Sequence, residues 1–335
     1  MSKVSNGSAK TGHNGQSNGE SAPIKPIYKR ELVYHHIIWM PFVHLCGIYG
    51  LYLAVTAVQY KTIFFMDLMA LFASFGTLCG AHRLWSHRSF KAKLPFQIIL
   101  MVLSTLAFQS PAYEWARDHR LHHKYSDTDA DPHNSRRGFF FSHIGWLMCR
   151  KHPEVKEKGK TIDVSDLDSD PLLQFQKKYY LLLGAFIWGL GPAYIPHWLW
   201  DEPLWSSWFV CVMLRYCVSL NTTFLINSAA HMYGMKPYDK SIVPVEAHMR
   251  HFLVGEGFHN YHHTFPMDYS ASELGAIDTF NPATAFIDMF AAIGWAYDLK
   301  KPSNDVVKRR QTRCGDIHYS FRSRLSEQIV GLGKR

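Results

Sequence analysis

Long apolar blocks are the feature that most constrains the fold of this chain. HIIWMPFVHLCGIYGLYLAVTAV, residues 36–58, and TIFFMDLMALFASFGTLCGA, residues 62–81, are each long enough to cross the roughly 30 Å hydrocarbon core of a bilayer as a helix. Two further blocks follow at residues 179–200, which Pro192 and Pro196 interrupt, and at residues 204–230. The pattern predicts an all-α integral membrane protein with four transmembrane helices.

The distribution of Lys and Arg predicts how these spans are oriented. The connector at residues 196–205 contains neither Lys nor Arg, whereas the flanks near Lys29 and Arg309 are basic. Both termini and the long middle segment are therefore expected in the cytosol. The apolar block at residues 94–108 is short, which favours an interfacial or re-entrant helix over a full span.

Three regions follow from this reading of the chain. Residues 1–30, rich in Ser, Gly, Asn and Lys, are predicted to form a disordered cytosolic tail. Residues 31–300 would form the membrane domain, and residues 301–335 a cytosolic C-terminal tail.

The net charge of +9 raises the question of nucleic-acid binding. Apolar residues make up 47% of the chain and are concentrated in blocks, which does not fit a soluble basic domain. The sequence also contains no nucleic-acid module signature. The composition therefore indicates a lipid bilayer as the partner, with a basic cytosolic face, and no nucleic acid.

Nine of the 20 histidines fall into four groups on the predicted cytosolic side. Two groups, HRLHH and GFHNYHH, have the spacing i, i+3, i+4, which puts three imidazoles on one face of a helix. Imidazole is a ligand for zinc, copper, iron or nickel, and nine rings are enough for two metals. The candidate ligands are His82, His87, His119, His122, His123, His231, His259, His262 and His263.

A stripe of polar residues precedes one of these histidines. Thr223, Asn227 and His231 are spaced by four, so a helix would present them on one face. Asn227 could orient a ligand or a metal-bound water. Polar packing between membrane helices is the alternative explanation of the same stripe.

Four runs carry a resemblance to a known family: GAHRLWSHRSFKAKLP, EWARDHRLHHKYSDTDADPHNSRRGFFFSHIGW, NSAAHMYGMKPYD and GEGFHNYHHTFPMDYSASE. With these runs in this order between apolar blocks, the chain resembles the membrane-bound acyl-CoA desaturases of the stearoyl-CoA delta-9 type, in an insect-like form. The likeness extends over about residues 34–297. It implies four membrane helices under a cytosolic helical cap that encloses a histidine-ligated di-iron site.

The resemblance also implies roles for individual residues. One iron would be held by His82, His87, His119, His123 and His262, and the other by His122, His231, His259 and His263. Asn227 would position a water. The coenzyme A head group would lie at Arg117, Asp118, Arg150 and Lys151, where cationic side chains suit its phosphates.

The acyl tunnel of such a protein would involve Ala70 and Ser74 at its far end and Phe224 near its entrance. Small residues at the far end predict room for acyl chains as long as stearoyl or longer. The alternative is that bulk from neighbouring helices closes the tunnel. His36, Ser110 and Phe224 depart from the residues usual in the family, so head-group affinity or tunnel shape is expected to differ.

The chemistry predicts further partners. Dioxygen takes four electrons to become two waters, of which two come from the substrate and two from outside. The chain has no flavin, nicotinamide or haem motif, and the resemblance implies cytochrome b5 and its NADH-dependent reductase as donors.

The expected function is delta-9 acyl-CoA desaturation in the endoplasmic reticulum. A desaturase of another position, such as delta-11, or a di-iron hydroxylase is the alternative. A metal transporter would place ligands at mid-span, which these histidines do not.

Overall fold

Helices dominate the computed structural model, which describes residues 30–248, 253–273 and 280–316. The α-helices in chain order are α1 Tyr34–Thr56, α2 Tyr60–Phe75, α3 Leu94–Ala107, α4 Ala112–Tyr125, α5 Phe139–His143, α6 Pro153–Gly159, α7 Ser165–Asp168, α8 Pro171–Gly184, α9 Gly191–Trp200, α10 Leu204–Ser207, α11 Arg215–Asn227, α12 Ala229–Met232, α13 His259–Thr264, α14 Pro282–Ala292 and α15 Asn304–Cys314. Segments Gly76–Ser86, Ala185–Leu190 and Trp208–Leu214 are π-helical, and Ser135–Arg137 and Gly145–Met148 are 3₁₀-helical.

Two short antiparallel ribbons complete the fold. Strand β1, Lys91–Ala92, pairs with β4, Ala296–Tyr297. Strand β2, Gly234–Met235, pairs with β3, Glu246–Ala247. Each ribbon connects a segment that follows one histidine group to a later part of the chain.

Three continuous helical segments are long and apolar enough to cross a membrane: Tyr34–Thr56, Tyr60–Ser86 and Leu204–Met232. They correspond to the predicted spans at residues 36–58, 62–81 and 204–230. Helices α3 and α4 meet at 83° and together form a broken span or a re-entrant loop, which would raise the count to four. The short apolar block was predicted to be interfacial or re-entrant and not a full span, and that choice stays a prediction.

The predicted span at residues 179–200 forms helix, but it is not one of those three segments. Helix α8, the π-helical turn and α9 follow one another directly from Pro171 to Trp200. Leu181 and Trp198 on this stretch are 78% and 82% exposed, as lipid-facing side chains would be. Prolines and a histidine in α9 reduce its apolar character, and its assignment as a span stays a prediction.

The second span continues beyond its predicted end. Residues 76–86 form a π-helical extension of α2, and its last turns carry His82 and Arg83 into the helical cap formed with α3, α4 and α14. Gly76 allows α2 and α3 to meet backbone to backbone, because a Cβ there would lie 2.1 Å from the carbonyl carbon of Leu103. The extension thus carries a histidine group directly from the membrane to the site.

The cap has a continuous core of its own. Trp85, Phe96, Ala116 and Ile287 are buried together, so the π-helical extension, α3, α4 and α14 pack as one unit. Burial of apolar side chains at about 25 cal/mol per Å² is what holds such a cap over the membrane helices. A rigid cap fixes the positions of the histidine-bearing helices.

The C-terminal region also takes part in this packing. Val307 on α15 is 2% exposed and packs with Tyr261 of α13 and with Phe258 and Phe265, which flank that helix. The packed part of the chain therefore extends past residue 300, into the predicted tail. The predicted disorder of the N-terminal tail falls on residues 1–29, outside the described residues.

Candidate metal centre

The nine candidate histidines converge in two sets. The donor nitrogens of each set lie within 4.8 Å of one another. The first set, called set A below, contains His82, His87, His119, His123 and His262; the second, set B, contains His122, His231, His259 and His263. This is the division that the resemblance implied.

Each histidine-rich helix contributes to both sets. On α4, His119 and His123 belong to set A and His122 to set B. On α13, His262 belongs to set A and His259 and His263 to set B. The i, i+3, i+4 spacing therefore builds two adjacent sites from the same two helices.

Ring nitrogens approach one another closely within both sets. The Nε2···Nε2 distances are 2.9 Å for His82 and His262, 2.9 Å for His87 and His119, 3.0 Å for His123 and His262, 3.0 Å for His231 and His259, and 3.1 Å for His259 and His263. Such distances bring nitrogen lone pairs together, which a cation between them would stabilise.

Three buried carboxylates decide which nitrogen of their histidine carries the proton. Asp131 lies 2.9 Å from Nδ1 of His122, Asp127 lies 3.0 Å from Nδ1 of His231, and Glu256 lies 3.2 Å from Nδ1 of His82. Because an ionised carboxylate only accepts, Nδ1 donates in each pair. The Nε2 lone pair is then left facing the set, which is how metal-binding histidines are commonly oriented.

The carboxylates are themselves held in place. Asp131 accepts from the backbone N–H groups of Asp127 at 2.8 Å and His133 at 3.0 Å. Glu256 accepts from the guanidinium of Arg83 at 2.6 Å, and both side chains are at most 2% exposed. This support fixes the ring orientations before any metal binds.

The electrostatics of these acids follow from their partners. Burial raises the pKa of Glu256, but His82 and Arg83 outweigh it and lower the pKa to about 2. The pKa of Asp127 is also lowered, because hydrogen bonding to His231 and Ser135 exceeds the effect of burial. The acids are therefore ionised at neutral pH and act as acceptors.

The histidines of α13 are kept neutral. Burial, reinforced by the neighbouring imidazoles, lowers the pKa of His259, His262 and His263 well below its ordinary value. A neutral imidazole is the form that binds a metal ion. Two sets of clustered nitrogen donors, with no thiolate among them, fit iron, zinc or copper.

Comparison with known proteins decides the family. The sequence profile described as fatty acid desaturase matches residues 62–278. A protein of Acheta domesticus named acyl-CoA Delta-9 desaturase is 53% identical over 290 residues, which cover 86% of this chain and 80% of the relative. The chain belongs to the fatty acid desaturase family.

Other members of the fatty acid desaturase family are similarly close. An acyl-CoA Delta(11) desaturase of Spodoptera littoralis is 54% identical over 290 residues, covering 86% of this chain and 85% of the relative. Stearoyl-CoA desaturase 5 of Bos taurus is 49% identical over 290 residues, covering 86% of both chains. The likeness thus extends over insect and mammalian members.

Asn227 lies at the end of the helix that leads to set B. It is the last residue of α11, and the chain departs from helical geometry at Ser228 before α12 carries His231. The predicted stripe of Thr223, Asn227 and His231 therefore crosses a distorted turn, although the segment continues as helix to Met232. The role of Asn227 in positioning a water stays a prediction.

The predicted head-group residues lie at one open pocket of about 750 Å³ on the cap, called the α4 pocket below. The carboxylate of Asp118 forms salt bridges with Arg117, at 2.9 Å, and with Lys151. The pocket is lined further by His36, Arg150, Lys156 and Lys160. It is basic, and it begins next to His119 on α4.

The predicted tunnel residues divide between two places. Ser74 lines a narrow cavity between the second and last spans, together with Gln109 and Thr223. Ala70 is one turn away, and its carbonyl accepts from the Ser74 hydroxyl at 2.9 Å. Phe224 is 5% exposed and packs on Trp146, which lines the α4 pocket.

The three carboxylates were not among the residues predicted from the sequence. Asp127 and Asp131 lie in the acid-rich run SDTDADPHN directly after the first histidine helix, and Glu256 precedes His259 by three residues. An acid close in sequence to a candidate ligand is a usable signal, since metal-bound imidazoles commonly donate to carboxylates.

Proposed function

We propose that the chain is an acyl-CoA desaturase of the endoplasmic reticulum membrane, with both termini in the cytosol, that inserts a double bond at delta-9 of a saturated long-chain acyl-CoA. It would use two irons, dioxygen and electrons from cytochrome b5 and its NADH-dependent reductase. The observation that carries this proposal is the division of nine imidazoles, five buried and four half-buried, into two sets beside a basic pocket.

The α4 pocket suits the coenzyme A head group. Arg117 and Lys151 would bind phosphate oxygens, and Asp118, which contacts both, holds the two cations in position. Arg117 precedes His119 by two residues on the same helix. A head group bound here would therefore be anchored a short distance from set A.

The acyl chain would pass from this pocket into the interior. Phe224 and Trp146 are in edge-to-face contact at 6.1 Å between ring centroids, at the base of the pocket. Farther in, Ser74 and Thr223 line the narrow cavity between the spans. A basic surface pocket and a second, narrow cavity between the spans would suit a substrate with a phosphorylated head and a hydrocarbon tail.

Iron bound to the two sets would supply the dioxygen chemistry that removes two hydrogens from adjacent methylenes. The protein's own part is to hold the nine nitrogen donors in two sets and to orient their rings. His82, His122, His231, His259 and His262 are each at most 3% exposed, which limits the access of water to this part of the site. The carboxylates at Asp127, Asp131 and Glu256 hold their partners' protons at Nδ1, away from the metals.

The double-bond position is the finer part of the proposal. Delta-9 is supported by the Acheta domesticus relative named for that position. Relatives of similar identity carry the names Delta(11) and Delta12, so a different position is the alternative. The geometry of the narrow cavity sets where the chain stops and hence which methylenes lie beside the site.

Expression in yeast that lacks its own desaturase tests the proposal. Gas chromatography with mass spectrometry should find monounsaturated fatty acids with the double bond at delta-9, and His119→Ala should abolish them. His35→Ala, which changes an exposed histidine outside both sets, is the matched control and should retain the product. Hydroxy fatty acids would instead establish a hydroxylase, and a bond at another carbon would overturn delta-9 alone.

A further inference from the structure

A second basic surface lies on the cap, apart from the α4 pocket. It is a groove of about 400 Å³ between the end of α13 and one face of α15, called the α15 groove below. Its lining residues are Thr264, Phe265, Val306, Arg309, Arg310 and Arg313. On α15 these residues have the spacing i, i+3, i+4, i+7, so a single helix face supplies them.

The α15 groove lies next to the metal centre in the covalent chain. Thr264 and Phe265 directly follow His263, a member of set B. The nitrogen of His263 lies 3.1 Å from that of His259, in the same set. A molecule seated in the groove is thus separated from a candidate metal ligand by one or two residues of backbone.

The helix that forms the groove is fixed to the centre. Val307 is buried against Phe258 and Tyr261, and the backbone N–H of Tyr238 donates to Asn260 of α13 at 2.9 Å. Gln311 donates to Glu273 at 3.0 Å. The groove therefore has a preformed shape and a constant distance from set B.

The positive charge of the groove is only partly compensated within the described residues. Arg310 is paired with Asp239. Lys308, Arg309 and Arg313 are exposed, and none of the three forms an ion pair with a carboxylate of residues 30–248, 253–273 or 280–316. Uncompensated cations on one rigid helix attract an acidic partner and steer its approach.

The two basic surfaces share no lining residue. The α4 pocket lies beside set A and is accounted for by the phosphates of the head group. A ligand in the α15 groove would leave that pocket open, so substrate and a second partner could bind at the same time.

From these observations we propose that the α15 groove is the docking site of an acidic electron-transfer protein, which delivers electrons to set B through the α13 end. The inference rests on the proposed function, because desaturation takes two electrons per double bond from outside the chain. An anionic lipid surface would satisfy the same charges, but it would not explain why the groove begins next to His263.

Charge reversal of the exposed arginines tests this docking site. In the full chain carrying Arg309→Glu and Arg313→Glu, reduction of the bound metal by reduced cytochrome b5, followed by stopped flow at low ionic strength, should slow by about 10-fold or more. The difference should shrink as salt is raised. Reduction by dithionite and the iron content should equal those of the wild type, which shows that the variant is folded and loaded.

A reciprocal variant separates the two basic surfaces. Lys156→Glu with Lys160→Glu, in the α4 pocket, should raise the KM for acyl-CoA and leave the rate of reduction by cytochrome b5 unchanged. Wild-type reduction rates in the Arg309→Glu, Arg313→Glu variant would overturn the docking site. A rate loss seen only in nanodiscs of anionic lipid, and absent in neutral ones, would assign the groove to the membrane instead. If wild-type protein reduced by dithionite forms no double bond, the proposed function itself fails.

Discussion

Replacing Asp127 by Asn should remove iron from set B and leave set A loaded. Asp127 accepts from Nδ1 of His231 at 3.0 Å with one oxygen, and from Ser135 with the other. Asn has the same shape, so its oxygen can still accept the hydrogen bonds from Ser135, while its amide N–H takes the place of the acceptor that faces His231. The imidazole then accepts at Nδ1 and carries its proton at Nε2, where the metal would bind.

The magnitude follows from the cost of restoring the binding tautomer. To free Nε2 for a metal, His231 must carry its proton on Nδ1, which then faces the amide N–H of the substituted side chain. Two donors cannot bond to each other, so a buried donor loses its partner at a free-energy cost of about 1–3 kcal/mol. Because about 1.4 kcal/mol corresponds to a tenfold change in the dissociation constant, the affinity of set B for iron should fall by roughly 5- to 150-fold. This range agrees with the 10- to 100-fold typical of lost carboxylate partners of metal-bound histidines.

Glu256→Gln is the counterpart for set A. Its oxygen can still accept from Arg83, whereas its amide N–H would face Nδ1 of His82. We expect this variant to lose the set A iron first. The buried Arg83 also loses its counter-charge, so this variant should be less stable than Asp127→Asn.

Iron per chain measured after dialysis against chelators of graded strength distinguishes the two sets. At a strength where the wild type keeps both irons, each single variant should keep one, and the double variant none. Asp129→Asn, an exposed acid in the same loop, is the control and should behave as wild type. Loss of both irons from Asp127→Asn in a single step, or no loss at all, would refute the reasoning.

Three further predictions concern the tunnel and the stability of the fold. Ala70→Tyr should shorten the preferred acyl chain, and an unchanged chain-length profile in the product analysis would contradict the proposed tunnel end. Gly76→Ala forces a Cβ to 2.1 Å from the backbone of α3, so it should lower the free energy of unfolding by about 3 kcal/mol or more in thermal denaturation. Gly159→Ala is the control: its Cβ would meet only one side-chain atom, at 4.0 Å, and its stability should equal that of the wild type. Asp166 pairs with Arg120 and Arg88, which lower its pKa from 3.8 to about 2 despite partial burial. Asp166→Asn should therefore lower the free energy of unfolding by about 1 kcal/mol at pH 7. The difference in melting temperature between the variant and the wild type should vanish as the pH falls from 4 to 2, because Asp166 of the wild type then becomes protonated.

The positions of the histidines could be predicted because their spacing is local. The i, i+3, i+4 pattern places the three imidazoles of α4, and again of α13, on one helix face, and no knowledge of the tertiary fold is needed. Which rings share a metal could not be derived in this way. His122 joins His231 while its neighbour His123 joins His262, and that pairing depends on how α4 and α13 cross.

The carboxylates show a different limit. Asp127 and Asp131 lie in a loop that has no periodicity, so no pattern predicts where their side chains point. Glu256 reaches His82 from a distance of 174 positions along the chain, as the residue numbers show. Their role became visible only once the fold brought acid and imidazole within hydrogen-bonding distance.

The membrane helices were predictable where composition was uniform. The first two spans and the last are continuous apolar runs, and their predicted limits differ from the observed ones by up to five residues. Residues 179–200 are mixed, and α15 is polar on most faces with a single buried Val307. A lone buried valine gives no sequence signal, so the packing of α15 against the centre could not be predicted.

The most direct test of the account is to measure iron content and double-bond formation on the same purified full-length chain. We predict two irons per chain, and single turnover of a saturated acyl-CoA in proportion to the fraction of chains that hold both. The product should be monounsaturated, and oxygen should be required. Undiminished double-bond formation by protein that holds one iron per chain, or none, would contradict the assignment of two histidine sets to two catalytic metals.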